Sequence, residues 1–417
     1  MPISPAVFIG ARMVDGRSPE AVVDGVLVTD ESGRIVAAGS AGAAATKAPK
    51  GADRIDLKGL TLLPGIVDCH VHLSLRLEPV AEQTQRSATD LVVRALQTGR
   101  DFLEAGVTTV RDAGYTPSGI KRAFASGAFP GPRTQVSCTP LSQTGGHGDG
   151  WTPSGAVLET AVSDLPPGIA DGVDAVRRAT RLQIRAGADW IKVMASGGVL
   201  SAADAPDASQ FTVDEIRAIV EEAKAAGIRG TLAHAEGTVG IKNALRAGIT
   251  SIEHGDLIDD EGIDLMLERD VPLVPTFNIN FALMDKGRVE RGEVPPWAVE
   301  KMRYLFDRQQ TNFRHALERG VRIVMGTDSF SGLYPPAELA YMSEFGMGPF
   351  RAIQAATCDA ARLLGLSDLI GTLEPGKQAD LIAISGDPLA EPELWRDPSR
   401  VVLVVQGGRI VVDRRGA

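Results

Sequence analysis

The period of the hydrophobic positions changes twice along the chain. In the first ~60 residues, short β-branched runs at 21–29, 35–38 and 54–57 are broken by Gly and Asp, as strands are. The last ~50 residues read the same way. They hold a turn-rich lead-in at 371–376, an apolar strand at 380–384, and two strands within 401–412 around Gly407-Gly408. The two ends predict one small β domain made of 1–60 and 367–417.

Over 61–366, short apolar runs alternate with helical periods. The expected strands are 62–67, 108–111, 134–137, 190–194, 230–233, 250–253, 272–275 and 322–326. The expected helices are 89–105, 171–186, 213–226, 239–247, 260–269 and 298–319. Gly106, Gly187, Gly227, Gly248 and Gly320 each close a helix, where a left-handed residue is needed. Eight strands alternating with helices in roughly 300 residues predict an α/β fold of the (β/α)8 barrel type. A doubly wound sheet is the alternative, but no G-x-G-x-x-G follows the first strand to favour it. The longest insertion, 138–172, is rich in Gly, Pro, Ser and Thr and reads as a loop over an active-site face.

Composition narrows the class. Of 417 residues, 44% are hydrophobic and 23% charged, a globular balance. Lys+Arg total 43 against Asp+Glu 53, a net charge of −10. An acidic chain without a basic run suits neither nucleic acid nor an anionic membrane, so neither is an expected partner. The N-terminal stretch lacks the charge and apolar pattern of a signal peptide, and no run reaches the ~18 apolar residues of a membrane span. Cys69, Cys138 and Cys358 lie far apart without C-x-x-C spacing, which fits a reducing cytoplasm.

Six histidines are few enough to place one by one. His70 and His72 end the first barrel strand in Asp-Cys-His-Val-His. Lys192 lies within the fourth, in Trp-Ile-Lys-Val-Met. His234, His254 and Asp328 end the fifth, sixth and eighth. Barrel enzymes gather catalytic groups at such strand ends. Positions i and i+2 share a side of a strand, so His70 and His72 can face one metal with Val71 turned away. An H-x-H alone is a weak signal, and a single histidine is by default structural. Four His and one Asp at the ends of separate strands form a donor set suited to Zn or a similar divalent ion. Lys192 is costly to bury unpaired in an apolar strand. It reads as a partner of a carboxylate, as an amine of depressed pKa or a Schiff-base lysine, or as a carbamate formed with CO2. His315, mid-helix between Arg314 and Ala316, reads as a surface residue.

The stretch Pro64-Gly65-Ile66-Val67-Asp68-Cys69-His70-Val71-His72 resembles the opening motif of the amidohydrolase superfamily. Gly106-Val107-Thr108-Thr109-Val110-Arg111-Asp112, Lys192, His234, His254, Asp328 and the closing segment 371–380 follow in that family's order. The resemblance implies a distorted (β/α)8 TIM barrel beside a small β-sandwich built from both termini, in a homo-oligomer. It implies two divalent metal ions, with Zn the expected identity. His70, His72 and Asp328 would hold the first, and His234 and His254 the second. Lys192, carbamylated by CO2, would bridge them with a hydroxide. Leu141-Ser142-Gln143-Thr144-Gly145-Gly146-His147-Gly148-Asp149 and Ala195-Ser196-Gly197-Gly198-Val199 are similar to one branch of the superfamily. That branch holds imidazolonepropionase-like proteins, Xaa-Pro dipeptidases, carboxypeptidases for short N-acyl amino acids and ochratoxin-hydrolysing amidohydrolases. Imidazolonepropionase proper resembles a one-metal enzyme, whereas Lys192 points to two.

The expected activity is hydrolysis of the amide bond of a small-molecule amide, a dipeptide or N-acyl amino acid. Asp328 would take the hydroxide proton and pass it to the leaving amine. His147, on the long loop, would hydrogen-bond the carbonyl oxygen as charge builds, or would merely fix its own glycine-flanked backbone. Gly197, Gly198 and Val199 are expected at the substrate because paired glycines let backbone amides approach closely; a plain strand-to-loop turn is the other reading. Phe277, Phe281, Leu283 and Met284 form either an apolar wall of the pocket or packing beneath a lid. A cyclic-amide hydrolase or a deaminase would use the same metals. A non-catalytic scaffold is a third class, disfavoured because the ligand set is complete.

Overall fold

The computed structural model describes residues 3–152, 154–158 and 162–416. The N-terminal strands are β1 (Ala6–Met13), β2 (Val22–Thr29), β3 (Ile35–Ser40), β4 (Asp53–Asp56) and β5 (Leu60–Pro64). The central ones are β6 (Ile66–Arg76), β7 (Val107–Asp112), β8 (Arg133–Val136), β9 (Trp190–Met194), β10 (Gly230–Ala235), β11 (Ser251–His254), β12 (Leu273–Val274) and β13 (Ser329–Ser331). The C-terminal ones are β14 (Leu381–Ser385), β15 (Val401–Gln406) and β16 (Arg409–Asp413).

Both termini meet in one sheet of order β16-β15-β14-β5-β1-β2-β3, with β4 paired to β1. Alternation along its strands sends side chains to opposite faces. Phe8, Leu27, Leu62, Leu381 and Leu403 pack in one cluster, and Val7, Val26, Val28 and Ala37 in another. Gly407 and Gly408, both at positive φ, make the tight turn between β15 and β16. The expected strand at 62–67 is in fact two. The chain leaves this sheet after Pro64 and starts β6 at Ile66. Gly65 stands at the crossing because a Cβ there would lie 2.4 Å from Thr108 Oγ1.

The central strands form two parallel arcs, β13-β6-β7-β8 and β12-β11-β10-β9. Backbone bonds span the seams between them. Asp189 N donates to Val136 O (2.7 Å) and Leu141 N to Lys192 O (2.8 Å) on one side. Leu273 N donates to Arg322 O (2.9 Å) and Cys69 N to Met325 O (3.0 Å) on the other. The eighth strand expected at 322–326 is absent; only Ile323 bridges Leu273, and β13 forms later. Gly326 runs close against β6, where a Cβ would meet His70 Cβ at 2.8 Å.

The six expected helices form at Ala88–Glu104, Val173–Arg185, Val213–Ala225, Thr238–Ala247, Asp260–Arg269 and Pro296–Arg319. Ser87 with Asp90 and Thr212 with Glu215 make capping boxes, and all five expected closing glycines have positive φ. The helix Phe277–Leu283 was not legible, because its cap is remote. Phe277 N and Asn278 N donate to the Glu338 carboxylate at 2.8 and 2.7 Å. The insertion 138–172 is loop throughout its described part; its residues 153 and 159–161 lie outside the described residues. No helix among the described residues is long and apolar enough to cross a membrane.

Gly65→Ala is expected to lower stability by about 1–3 kcal/mol, the usual cost of overpacking a tight site. Denaturant unfolding checks this, and an unchanged midpoint would show that Thr108 yields freely.

Candidate metal centre

His70 and His72 lie along β6 rather than at its end, because that strand runs on to Arg76. His72 Nε2 is 3.1 Å, and His70 Nε2 3.6 Å, from Asp328 Oδ1. One donor atom of each of these three residues lies within 4.8 Å of the others. Lys192 Nζ sits 3.4 Å from His70 Nε2. The His254 ring is 5.2 Å from that of His70 and 4.7 Å from that of His234, centroid to centroid. His234 in turn stacks on His147 at 4.2 Å. These side chains form one continuous cluster. His315 is elsewhere, on the outside of its helix, 2.6 Å from Asp260.

Each clustered imidazole has one nitrogen already occupied. His70 Nδ1 donates to Glu253 Oε2 (2.7 Å), His72 Nδ1 to Gly114 O (3.1 Å) and His234 Nε2 to Gly197 O (3.0 Å). His254 Nδ1 pairs with Thr276 Oγ1 at 2.7 Å. A neutral imidazole has one N–H, so His70 and His234 keep one bare nitrogen, the form a metal requires; His72 Nε2 instead faces the Asp328 carboxylate, which raises that ring's pKa against burial. Burial favours that form. It pushes His254 down to about 3 and His70 and His234 well below the ordinary range. Asp328 stays ionised: burial opposes this, but the His72 hydrogen bond and the neighbouring imidazoles hold its carboxyl below the usual value. Burial also brings Lys192 down to about 8. Among the described residues, no carboxylate ion-pairs with it.

A buried support lies beneath. Arg111 and Glu253 are both fully buried. Arg111 Nη2 donates to Glu253 Oε1 (2.8 Å), Nη1 to Ser251 Oγ (3.1 Å) and Nε to Cys69 O (2.5 Å). Asp68 accepts from His70 N (3.0 Å), Thr327 N (3.2 Å) and Thr327 Oγ1 (2.6 Å), which ties β6 to the segment before Asp328. His254, Thr276 and Asp328 all have left-handed backbone, at φ 72°, 56° and 50°. Such strain costs about 1–3 kcal/mol per residue and collects at functional sites.

His147 is packed, although glycines flank it. A Cβ on Gly198 would lie 2.3 Å from its ring. Its Nδ1 is 2.8 Å from Ser201 Oγ, which is bonded in turn to Asp204. Lys301 ties this loop down through Gly198 O (2.9 Å), Ser201 O (2.6 Å) and Asp204 Oδ1 (3.2 Å). Gly197 has a packing reason too, since its Cβ would meet Ala205 O at 2.1 Å. Val199 is buried with Leu77, Ile279, Leu283 and Phe330. Of the expected apolar wall, Phe277 is turned into the core against Phe313 and Phe345, and Phe281 stacks on Tyr341 at 4.0 Å. Leu283 and Met284 pack in the same cluster as Val199.

Residues 61–411 match the Amidohydrolase family. The chain belongs to the amidohydrolase family. It is a hydrolase acting on amide bonds. It is 38% identical to ochratoxinase of Aspergillus niger over 368 residues, 84% of this chain and 75% of that protein. A crystal structure of a Xaa-Pro dipeptidase with methionine bound in its active site superposes with a TM-score of 0.88 at 31% identity, covering 98% of this chain and 100% of that one. A prolidase complexed with N-methylphosphonate-L-proline gives 0.90 at 32%, again covering 98% and 100%.

In this amidohydrolase, Arg111, Glu253, Asp68, Ser201, Asp204, Lys301, Glu236 and Asp256 lie within or beside the cluster, and the sequence reading assigned them no role. Arg111 and Glu253 left a trace, as charges inside otherwise apolar strands beside a motif residue. Lys301 left none, being one of many helix cations. Glu236 and Asp256 follow His234 and His254 by two residues and are buried beside them. Burial raises both carboxyls, Asp256 to about 7, and Asp256 adds to the negative charge around Glu236.

Glu253→Gln should strand the Arg111 charge in the interior, a loss of about 3–5 kcal/mol. Releasing His70 should also weaken metal uptake about 10–100-fold. Calorimetry and metal titration read the two effects; wild-type values in both would dismiss the support role.

Proposed function

We propose that this amidohydrolase is a binuclear metal-dependent enzyme cleaving the amide bond of a dipeptide or N-acyl amino acid, with ochratoxin A among the candidate substrates. The observation that carries this reading is the set of imidazoles at His70, His72 and His234, each held by a partner on one nitrogen, around an ionised Asp328. His70, His72 and Asp328 would hold one divalent ion, and His234 and His254 the other, with Zn the expected identity. Among the described residues no carboxylate ion-pairs with Lys192, and its lowered pKa favours the neutral amine that adds to CO2. The resulting carbamate would join the two sites. Bound ions would lower the pKa of a water toward ~7 and polarise the carbonyl.

Asp328 takes the water's proton and returns it to the leaving amine. The Ser201 hydrogen points to Asp204, so Ser201 Oγ accepts from His147 Nδ1–H. The neutral ring therefore presents a bare Nε2. Donation from Nε2 to the carbonyl oxygen uses the protonated ring, which burial opposes and Asp204 favours. Gly197, Gly198 and Val199 would border the substrate on the same side.

The architecture extends this reading: a distorted (β/α)8 barrel over 61–366 beside a β-sandwich of 1–60 and 367–417. The seam bonds and the two buried faces of the terminal sheet support it. The same proposal includes a homo-oligomer, and a cytoplasmic setting consistent with free cysteines at 69, 138 and 358.

Metal analysis is expected to find about two divalent ions per chain, and Lys192→Ala to lose activity and one ion. Full activity in that variant would refute the bridge. His147→Ala should cut kcat by ~10²-fold or more with metal content unchanged; a parallel loss of metal would make it a ligand instead. A screen of N-acyl amino acids and dipeptides varied at the C-terminal residue, with ochratoxin A included and both amine and ammonia detected, tests the bond cleaved. Ammonia release alone would identify a deaminase.

A further inference from the structure

A cavity of about 440 Å³ lies apart from the metal centre, and no residue of the histidine cluster lines it. Val80, Val289, Val294, Trp297 and Val299 wall it, and among the described residues Arg303 is its one charged lining group. Small-molecule pockets have ~300–1,000 Å³ and this same make-up, apolar walls with a few polar groups. The other cations close by in the chain are engaged. Arg288 and Arg291 pair with Glu293, and Lys301 pairs with Asp204. The indole N–H of Trp297 is engaged too, with Leu200 O at 3.3 Å. Arg303 is exposed and, among the described residues, pairs with no carboxylate, although Glu300 and Asp307 share its helix. One guanidinium thus faces an apolar hollow, and its N–H fork matches one carboxylate.

One helix ties this cavity to the site. Val294, Val299 and Trp297 pack in the cluster that holds Val199. Trp297, in the first turn of helix Pro296–Arg319, grips Leu200 O. Lys301 follows four residues later on the same helix face and holds Gly198 O and Ser201 O. Gly198 in turn lies against the His147 ring. A ligand seated between Trp297 and Arg303 would therefore brace the turns that fix loop 198–201.

We propose that this cavity is a second ligand site, separate from the metal centre, that takes an aliphatic monocarboxylate and couples to loop 198–201 through helix Pro296–Arg319. The apolar chain lies along the valines and Trp297, and the carboxylate meets Arg303. The site does not depend on which amide the metal centre cleaves, so its test needs no turnover. The probes are octanoate, 1-octanol, which keeps the chain and lacks the charge, and acetate, which keeps the charge and lacks the chain.

Calorimetry on the metal-loaded full chain should show octanoate binding at one site per chain, at least about tenfold tighter than 1-octanol, in line with a charged hydrogen bond. Acetate should not bind in the same range. Arg303→Gln should bring octanoate down to the level of 1-octanol, and Val80→Glu should weaken it further by placing a like charge at the mouth. Both positions are exposed, so both variants should keep the wild-type unfolding midpoint and metal content. Octanoate should also slow hydrogen exchange in 198–204, and Arg303→Gln should remove that protection. Octanoate binding that Arg303→Gln leaves unchanged overturns the proposal, since the ligand would then sit elsewhere, as on the metals. So does equal binding of octanoate and 1-octanol. So does binding that appears only as an oligomer dissociates, which would make the cavity a contact between copies of this chain.

Discussion

A charge buried where water cannot reach must find its partner inside the protein, and in this chain Arg111 and Glu253 meet that need for each other. Neither is exposed, and together they join β7 to β11 across the interior. Arg111 Nε also grips the carbonyl of Cys69, the residue just before His70. Glu253 uses its second oxygen to hold His70 Nδ1. The position and the tautomer of a central histidine thus follow from one ion pair. An isolated buried pair gains little over apolar packing. Its value here lies in the orientation it imposes.

The same logic repeats around the cluster. Carbonyl oxygens of Gly114 and Gly197 take the hydrogens of His72 and His234, and Asp68 ties Thr327 to β6 so that Asp328 arrives opposite His72. The bends that allow this are paid for by strain at His254, Thr276 and Asp328 and by a broken eighth strand. Close chain approach at Gly326 is part of the same device, since a side chain there would push His70 aside. One flank of the cluster is cationic in the ordinary way, through Lys301. The neighbouring flank holds the buried carboxyls of Glu236 and Asp256.

Much of the fold was legible because its signals are local. Six helices announced themselves by period and closing glycines. Helix Phe277–Leu283 did not, since the carboxylate that caps it comes from Glu338. The strand at 62–67 read as one apolar run, and only the pairing partners on either side of Gly65 divide it. In the site, period two correctly turned His70 and His72 to one side. The glycines at 197 and 198 also stood out, but their reason, contact with Ala205 and with the His147 ring, lies in other segments.

The sequence by itself determined the alternation of strands and helices, the amidohydrolase motifs and the identity of the polar residues near strand ends. Those depend on period, turn chemistry and residue type, all of which are local. Only the tertiary structure decided which nitrogen of each clustered histidine is held by a partner, and which buried charges are paired. Hydrogen-bond partners and burial are set between residues far apart in the chain, and no spacing along it records them.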